Sequence, residues 1–459
     1  MSGVKMSIVL RPRGSSAFGN VWSPLESMDE KKLNELHFRK LKRQIAYVWA
    51  SSEFYQEKFR SAGVAPEAVT SLASLDNFPF TEKDEIRASL AAAPPLGRHL
   101  CVSLDEVIQR QASSGTTGKP CYFAYTQRDL EMVCELTTRC FFAAGLRPGD
   151  LVLHAFAMSR GFVGGLPMAQ SLAYMGASIL PIGAESGIER LLRVIHDQQP
   201  IGIIGAPSFI GYLGEQAETV LGRSAAELGI RYIVVGSEPG GGQPETRAHL
   251  ERLWGARVRE MYGLSDLGNS FFAEGPEPDG MHFMGQGYLH VELIDPETGR
   301  VLPTEDGATG ELVYTALERE AMPLVRFRSR DHVKVVGTRP LNGRTGMRIR
   351  VLGRTDDMLI CRGVNVYPAA LQDIVSGLKP MTTGLFRIVV DFPGHSTDRP
   401  LRLKVETGER DGDHDAVAVR VAARVRDLLG VKTAVEIVPA GTFTPTGATK
   451  PVLIERVGP

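Results

Sequence analysis

The stretch that decides the fold runs from Leu151 to Tyr262, where short apolar runs alternate with segments of helical length. The runs are LVLHAF (151–156), ASILPI (177–182), IGIIGA (201–206), IRYIVVG (230–236) and RVREMY (257–262). Helix-length segments lie at 187–198 and 208–221. Short β-branched or apolar runs that alternate with helices are typical of a parallel sheet wrapped by helices. The sequence therefore predicts an α/β domain.

The segments on either side of this stretch have a different texture. From Glu26 to Phe59 charged and apolar residues mix with a helical period, and SLDNFPFTEKDEIR (74–87) closes this lead-in with a turn and an N-cap predicted at Thr81. After Tyr262 the chain becomes rich in turns and strands, as in GYLHVELIDPETGRVLP and GELVYTAL. We therefore predict a helical start and a smaller β-rich subdomain after the parallel sheet.

The last hundred residues form a third region. A helix is predicted at 368–377 and another at 416–430, with strands FRIVVDF, LRLKVET and AVEIV between and after them. The fold class is therefore α/β: a large N-terminal domain with helix-flanked, mostly parallel sheets and a β-rich subdomain, plus a small α+β C-terminal domain. The predicted bounds are 1–353 for the large domain, 354–357 for the linker and 358–459 for the small domain.

Length and composition exclude several classes of protein. A chain of 459 residues fits two or three domains. Lys and Arg number 52 against 53 for Asp and Glu, so no broad basic face for nucleic acid or anionic membrane is expected. The five cysteines form no CxxC pair, and no apolar run is long enough to span a membrane, which predicts a cytoplasmic protein. The oligomeric state stays open, with a homodimer as one alternative.

A loop rich in glycine and hydroxyl groups lies between VIQRQA and CYFAY. Glycines allow close approach of the backbone to a phosphate, while hydroxyl and amide groups supply hydrogen-bond donors. The loop departs from the Walker A spacing, and a simple hairpin turn is the alternative. The predicted polyphosphate-binding residues are Ser113, Ser114, Gly115, Thr116, Thr117, Gly118 and Lys119.

These residues also carry a family resemblance. QASSGTTGKP, followed by YTQRDL, resembles the phosphate loop of phenylacetate-CoA ligases in the adenylate-forming superfamily. Further blocks match in the same order, and the resemblance extends from about Glu26 to the end of the chain. These blocks are FPFTEKDEIR (78–87), GSEPG (236–240), MYGLSDLG (261–268), RFRSRD (326–331) and GRTDDMLICRGVNVYP (353–368).

The resemblance implies an ATP-dependent ligase. Such an enzyme joins a carboxylic acid to AMP with release of pyrophosphate, and then passes the acyl group to a thiol, here coenzyme A. An aromatic or arylacetic acid is the expected substrate. The alternatives are transfer of the acyl group to a carrier-protein thiol, an amine or another nucleophile, and a non-catalytic nucleotide-binding protein on the same fold.

The resemblance also implies a nucleotide site. The segment at 237–240 would lie beside the adenine, the ring of Tyr262 would stack on it, and Asp331 would accept hydrogen bonds from both ribose hydroxyls. For the arginines near Asp331, the alternative is a surface ladder of Arg326, Arg328 and Arg330 that pairs with Glu318 and Glu320. Besides the phosphate loop, the predicted ATP- and AMP-binding residues are Ser237, Glu238, Pro239, Tyr262, Gly263, Ser265, Asp331 and Arg354.

Asp266 stands where most relatives carry glutamate, and the resemblance implies that its carboxylate helps to hold Mg²⁺ on the phosphates. Aspartate is one methylene shorter, and Mg²⁺ readily retains water, so a water-bridged contact is one alternative to direct coordination. Some relatives carry a zinc site after this block. His282 has no cysteine partner between Cys140 and Cys361, so no zinc is expected.

The small domain is expected to move during the reaction. The resemblance implies that Asp356 is the hinge about which this domain swings between two half-reactions. It also implies that Lys450, in PTGATKPVLIER, is the catalytic lysine that contacts the reacting carboxylate and the α-phosphate. Gly447 lies three residues before Lys450 rather than next to it, which departs from the family pattern. A solvated tail lysine is the alternative.

The acid pocket is expected beside the ends of the parallel strands. The candidates come from HAFAMSRGFVGGLPMAQS and GAPSFIGY, and they would form a mostly apolar slot with small residues at its entrance. His154, Ser159 and Arg160 could recognise a substituent on the ring only if they point inward. The predicted pocket residues are Phe156, Phe162, Gly164, Ala206 and Phe209.

Overall fold

The computed structural model describes residues 19–113, 121–159, 161–408, 413–443 and 452–457. The α-helices in these residues are α1 (Glu30–Ser51), α2 (Glu53–Ser61), α3 (Lys83–Ala92), α4 (Gln127–Ala143), α5 (Leu166–Met175), α6 (Ile188–Gln198), α7 (Pro207–Glu215), α8 (Ala217–Leu221), α9 (Pro244–Trp254), α10 (Pro368–Ser376) and α11 (His414–Leu429). None of these helices is both long enough and apolar enough to cross a membrane.

Most strands of the described residues belong to one mixed sheet. The strands are β1 (Gln109–Ala112), β2 (Tyr122–Tyr125), β3 (Leu151–His154), β4 (Ser178–Leu180), β5 (Gly202–Gly205), β6 (Tyr232–Val235), β7 (Arg257–Tyr262), β8 (Phe272–Glu274), β9 (Met281–Phe283), β10 (Leu289–Ile294), β11 (Val301–Leu302), β12 (Thr309–Ala316), β13 (Phe327–Gly337), β14 (Arg348–Arg354), β15 (Leu359–Cys361), β16 (Val364–Val366), β17 (Thr382–Val390), β18 (Ser396–Thr397), β19 (Leu401–Thr407), β20 (Thr433–Val438) and β21 (Ile454–Arg456). The mixed sheet has the order β11-β10-β12-β13-β14-β9-β8-β7-β6-β5-β3-β4.

The parallel part of this sheet consists of β4, β3, β5, β6 and β7. Neighbouring residues of one strand enter different core clusters, as Val152 and Leu153 of β3 do. Helices α4 and α5 cover one face of the sheet, while α6, α7 and α9 cover the other. Both faces of these strands are thus buried, which explains their nearly continuous apolar sequence. The α/β prediction is confirmed.

The predicted β-rich subdomain is not a separate sheet. Strand β8 pairs antiparallel with β7, with Met261 opposite Ala273 and Tyr262 opposite Phe272. The turn-rich strands therefore extend the parallel sheet rather than starting a new one. Antiparallel strands need only short connections, which is why the sequence changes its texture at Tyr262 although the sheet continues.

Two helix predictions require correction. The N-cap of α3 is Glu82 and not Thr81. The Thr81 hydroxyl instead donates to the carbonyl of Val325 at 2.7 Å, which ties the chain before α3 to the β-rich part. The helix predicted at 208–221 is two helices, α7 and α8, which are separated at Gln216.

The C-terminal residues form the predicted α+β unit, which we call the small domain. It contains a three-stranded sheet (β16-β15-β18), a four-stranded sheet (β20-β19-β17-β21), and the helices α10 and α11 around their own apolar core. The strand predicted at AVEIV is β20. Strand β21, at the end of the PTGATKPVLIER segment, pairs parallel with β17.

A buried ion pair fixes the start of the described chain to the sheet. One carboxylate oxygen of Glu26 accepts from Arg344 Nε at 2.9 Å, and the other accepts from the amides of Trp22 and Ser23 at 2.9 and 2.8 Å. The side chains of Glu26 and Arg344 are 0% and 1% exposed. Breaking such a pair leaves a buried charge without its partner.

Replacing Glu26 with alanine should therefore lower the free energy of unfolding by about 3–5 kcal/mol. Urea unfolding followed by tryptophan fluorescence would measure the change, because Trp22 lies beside the pair. The control is Glu305→Ala, at an exposed position of the turn before β12. Equal unfolding midpoints for the two variants would contradict a stabilising role for the pair.

Candidate functional site

The predicted nucleotide residues gather at the carboxyl ends of the parallel strands. Ser237 and Glu238 follow β6, and Tyr262 is the last residue of β7. This edge of an open α/β sheet is where ligands generally bind. Asp331 and Arg354 arrive from β13 and β14 and lie opposite each other in the ladder.

Tyr262, Asp331 and Arg354 form one hydrogen-bonded and ion-paired group. The Tyr262 hydroxyl donates to Asp331 Oδ2 at 2.7 Å, and Arg354 Nη1 lies 3.7 Å from Asp331 Oδ1. Burial, together with the Asp331 charge, raises the pKa of Tyr262 well above its ordinary value, which keeps its hydroxyl a hydrogen-bond donor. An aromatic ring is thus held beside a carboxylate and a guanidinium, the combination expected for adenosine.

The segment after β6 is held in an unusual backbone conformation. Ser237 has φ +70°, a left-handed value that is rare for a residue other than glycine. The Glu238 carboxylate accepts from the Ser208 amide at 2.8 Å, in the first turn of α7. Gly240 has φ +149°, and a Cβ there would lie 2.9 Å from the Pro207 ring. These constraints fix the loop that the sequence assigned to the adenine.

Buried charged side chains contact the other side of the same loop. Arg247 donates to the Gly241 carbonyl through Nε at 2.8 Å and through Nη2 at 2.6 Å, and it also pairs with Glu274 at 2.5 Å. A Cβ on Gly242 would lie 2.3 Å from Glu260 Oε2. Burial, followed by the nearby Glu274 charge, raises the pKa of Glu260 to about 7. These contacts were not predicted from the sequence.

Asp266 forms an ion pair with Lys83 on α3. The Lys83 ammonium also lies 5.1 Å from the centre of the Phe123 ring, and Arg319 donates to the Asp266 carbonyl at 3.1 Å. Lys83 lies in the FPFTEKDEIR block, but neither Lys83 nor Arg319 was predicted as a site residue. The long separation between these residues in the sequence gives no sign that they meet.

The Asp266 side chain is 8% exposed and suits a modest contribution to a magnesium site. Mg²⁺ is commonly held by one or two carboxylates together with the phosphates of a substrate and water. In the residues that the structure describes, no group of three or more His, Cys, Asp or Glu side chains could hold a metal ion. Asp266 could supply one carboxylate oxygen to Mg²⁺ that is held by the phosphates of a nucleotide. His282 is buried in β9, and burial lowers its pKa to about 4.

The alternative of a surface arginine ladder is wrong, because these arginines have other partners and two of them, Arg326 and Arg328, are only 4% and 12% exposed. Arg326 pairs with Glu292 at 2.8 Å, and Arg328 pairs with Glu311 at 2.6 Å. The third arginine, Arg330, pairs with Glu82 at 2.7 Å. Glu318 and Glu320 instead lie near Arg128.

The predicted acid-pocket residues divide into two groups. Phe162 lies against Gly164, where a Cβ would be 2.2 Å from the Phe162 ring, and Phe162 forms a parallel bridge with Ala112. Phe156 belongs to the core cluster on the α4 and α5 face. Phe209 belongs to the core cluster on the opposite face of the sheet.

Ala206 contacts both clusters at the end of β5. The imidazole of His154 is buried and lies 2.9 Å from the Gly164 carbonyl, and burial lowers its pKa, which keeps it neutral. The Ser159 amide donates to Glu185 at 2.7 Å. Arg160 lies outside the described residues. Phe162 and Ala206 pack against the core cluster that contains Phe156, so these three predicted pocket residues border the same cluster, whereas Phe209 belongs to the other one.

Two groups of predicted residues fall wholly or partly outside the described part of the chain. The phosphate loop is described only at Ser113, whose amide donates to the Cys121 carbonyl at 2.9 Å and whose hydroxyl accepts from the Cys121 amide at 3.2 Å. This pair closes the hairpin of β1 and β2 at the base of the loop. Residues 114–119 and Lys450 lie outside the described residues.

The predicted hinge residue belongs to a charge pair. Asp356 accepts two hydrogen bonds from Arg354, at 2.8 and 2.7 Å. Burial lowers the pKa of Arg354, but its hydrogen bonds to Asp356 and the charge of Asp331 outweigh this effect and raise the pKa overall. Arg354 thus links the turn before the small domain to the Asp331 carboxylate. Gly263 and Ser265 lie in the loop after Tyr262, next to Asp266.

Comparisons with known proteins agree with this geometry. The profile of the AMP-binding enzymes matches residues 38–316, and the profile of the AMP-binding enzyme C-terminal domain matches residues 363–455. Phenylacetate-coenzyme A ligase of Thermus thermophilus is 34% identical over 91% of this chain and 95% of its own length. The ligases of that name from Pseudomonas putida and Escherichia coli are 31% and 30% identical, each over 92% of this chain and over 93% and 94% of their own lengths.

Superposition on solved structures shows that the similarity includes the overall fold. A 2-hydroxyisobutyryl-CoA ligase in the postadenylation state, in complex with 2-HIB-AMP, superposes with a TM-score of 0.88, at 27% identity over 96% of this chain and 93% of that chain. The same ligase with 2-HIB-AMP and CoA in the thioester-forming state gives 0.71, with the same identity and coverage. Sequence and fold thus agree over nearly the whole chain, and the protein belongs to the phenylacetate-coenzyme A ligase-like family of AMP-binding enzymes, within the adenylate-forming superfamily.

Proposed function

We propose that this enzyme uses ATP to convert an aromatic or arylacetic acid into its coenzyme A thioester. The observation that carries the proposal is the group of Tyr262, Asp331 and Arg354 at the ends of the parallel strands. Support also comes from the relatives called phenylacetate-coenzyme A ligase and from the neighbour bound to an acyl-AMP and CoA.

The reaction has two steps. In the first, an oxygen of the acid attacks the α-phosphorus of ATP, the bond to the β-phosphate bridge breaks, and pyrophosphate leaves. In the second, the sulfur of CoA attacks the acyl carbon, the thiol proton is lost, and AMP leaves with the electron pair of the broken mixed-anhydride bond. Both steps move charge onto phosphate oxygens, where a positioned cation lowers the barrier.

The described residues suit the first step by holding the nucleotide. Tyr262 offers its ring to the adenine, and Asp331 offers carboxylate oxygens to the ribose hydroxyls. For the Asp331 carboxylate, the hydrogen bond from Tyr262 and the nearby Arg354 fix its position before ATP binds. Groups that are already in position do not have to reorient during the reaction, which lowers its activation free energy.

An aromatic acid fits the apolar character of the candidate pocket. The Phe162 ring lies over Gly164, and the neutral imidazole of His154 sits behind the Gly164 carbonyl. Aromatic and small residues beside few polar groups are typical of a site for a mostly apolar ligand. A carrier-protein thiol, an amine or another nucleophile in place of CoA is the alternative acceptor.

The two steps require two positions of the small domain in this proposal. In chain order, β14 is the last strand of the mixed sheet and ends at Arg354, whereas β15 begins a separate sheet at Leu359. This change of sheet supports domain bounds at 353 and 358 and a hinge at Asp356. Rotation at this point would have to break or carry along the Arg354–Asp356 pair.

A cytoplasmic location stays a prediction. All five cysteines are free, and Cys101 is the one that is not fully buried. Free thiols of this number are expected in a reducing compartment.

The proposed activity is tested by acid-dependent exchange of pyrophosphate with ATP, measured over a panel of aryl, arylacetic and fatty acids. We expect arylacetic or aryl acids to support exchange, and addition of CoA to give a thioester and AMP. Exchange with fatty acids alone would overturn the substrate class. Adenylate release that CoA does not capture would favour the carrier-protein or amine alternative.

In the same assay Lys450→Ala should lower the exchange rate by about 10²- to 10³-fold, the usual cost of losing one preorganised group at the developing charge. Transfer from a chemically prepared acyl-adenylate to CoA should persist, because the domain has then rotated and removed the lysine. Normal exchange by this variant would show that Lys450 is not the adenylation lysine.

The proposed metal role of Asp266 predicts a change in the magnesium requirement. Asp266→Ala should need more Mg²⁺ for half-maximal exchange, whereas Asp266→Glu should keep the wild-type requirement or lower it. Asp84→Ala is the control, because Asp84 lies next to Lys83 on α3 with its side chain 89% exposed and pairs with Arg87. A magnesium titration of Asp266→Ala that overlays the wild type would remove Asp266 from the metal site.

The hinge proposal predicts that Asp356→Pro separates the half-reactions. Proline fixes φ near −65°, so the rotation that precedes thioester formation should be obstructed. Pyrophosphate exchange should therefore survive better than thioester transfer from preformed adenylate. Asp356→Ala, which removes the carboxylate but leaves the backbone free, is the control. Equal loss of both half-reactions in a folded Asp356→Pro protein would argue against this hinge.

A further inference from the structure

Helix α9 begins directly after the segment assigned to the adenine, and its first turn faces the small domain. Its N-cap is Gln243, and in the described part of the chain the Gln243 side chain forms no hydrogen bond to this turn. Instead Gln243 Nε2 donates to the Ala369 carbonyl of α10 at 2.6 Å. The amides of a helical first turn need partners from outside the helix.

The small domain supplies that partner. Asp373 of α10 accepts from the Thr246 amide at 3.2 Å and from the Thr246 hydroxyl at 3.3 Å. Thr246 is the third residue of α9, so the Asp373 carboxylate occupies the place that an N-cap side chain of the same helix would take. Its negative charge also faces the positive end of the helix dipole. A helix of the large domain is thus capped by the small domain.

Contacts after Asp373, at and beyond the end of α10, bring the two domains close together. Lys379 Nζ lies 2.6 Å from Glu215 Oε1, and His249 of α9 lies 3.1 Å from the same oxygen. Gly377 ends α10, and a Cβ there would lie 3.0 Å from Glu245 Cγ. These contacts are polar and partly exposed, which suits an interface that must open again.

The same interface leads directly to the nucleotide site. Arg247, next to Thr246, binds the Gly241 carbonyl of the adenine segment. At the other end of α10, the Tyr367 hydroxyl contacts the His332 imidazole, and His332 follows Asp331 in β13. Helix α10 is therefore connected to both sides of the predicted nucleotide site, through α9 and through β13.

The orientation seen here resembles one of the states recorded for the 2-hydroxyisobutyryl-CoA ligase. The TM-score is 0.88 against the 2-hydroxyisobutyryl-CoA ligase in its postadenylation state and 0.71 against the same protein in its thioester-forming state. Identity and coverage are the same in both comparisons, so the position of the small domain is the natural source of the difference. The capping contact belongs to the orientation that resembles the postadenylation state.

We propose that Asp373 is a positioning residue for adenylation: by capping α9 it holds the small domain against the nucleotide segment during the first half-reaction. The inference rests on the proposed two-step function and deepens it. Because coupling between two sites is reciprocal, a bound nucleotide that orders the segment before α9 also favours the docked small domain. Release of the cap accompanies rotation to the second half-reaction.

The test compares the two half-reactions in Asp373→Ala. Acid-dependent pyrophosphate exchange should fall by about 5-fold, the factor that loss of one helix cap typically contributes to an equilibrium. Thioester transfer from preformed acyl-adenylate should stay at the wild-type rate or rise. Asp373→Asn should restore exchange, because asparagine caps helices about as well as aspartate.

The matched control is Asp413→Ala. Asp413 caps α11 within the small domain by accepting from the Ala416 amide at 3.0 Å, so this variant loses the same kind of cap without touching the interface. Lys379→Met removes a second interdomain contact and should change the ratio of the half-reactions in the same direction. It gives an independent measurement if Asp373→Ala folds poorly.

The outcomes distinguish this inference from the proposed function. A wild-type enzyme without acid-dependent exchange would overturn the function itself. With an active wild type, Asp373→Ala and Asp413→Ala variants with the same ratio of half-reactions would overturn the inference. Equal loss of both half-reactions in Asp373→Ala, or an unchanged ratio in Lys379→Met, would also overturn it, because a purely structural role would not separate the two steps.

Discussion

The hydrogen bond from Tyr262 to Asp331 joins two parts of the chain that reach the site by different routes. Tyr262 ends the last parallel strand, whereas Asp331 lies on β13, in the antiparallel half of the sheet. The bond can form only because β8, β9 and β14 bridge the gap between β7 and β13 in one continuous sheet. The aromatic ring and the carboxylate are thus held at a fixed separation by backbone hydrogen bonds rather than by flexible loops.

The charged side chains around the site of this protein form local ion pairs. The chain carries almost equal numbers of acidic and basic residues, yet buried or half-buried cations recur around the site, each with its own carboxylate. Lys83 faces Asp266, Arg247 faces Glu274, and Arg354 faces Asp331 and Asp356. Paired cations can hold an anionic ligand without giving the whole molecule a positive field.

The sequence predicted those parts of the structure that follow from local patterns. The apolar runs predicted β3 to β7, and the family resemblance implied that Tyr262, Asp331 and Arg354 belong to one nucleotide site. It could not predict that β8 continues the sheet, because pairing between strands depends on contacts that a period-two pattern does not specify. Thr81 shows the same limit: its position suggested a helix cap, but a tertiary hydrogen bond to Val325 takes its hydroxyl. The contact of Lys83 with Asp266 and that of Asp373 with Thr246 span 183 and 127 positions, and no local signal reports them.

The continuity of the sheet has a consequence for dissecting the protein into pieces. The match to the AMP-binding enzyme profile stops at residue 316, the end of β12. A fragment cut there would lose β13 and β14, leave β12 with an open edge that invites aggregation, and remove both Asp331 and Arg354. A cut between Arg354 and Leu359 would instead separate whole sheets. The boundary of recognisable sequence and the boundary of an independently stable piece are therefore different places in this chain.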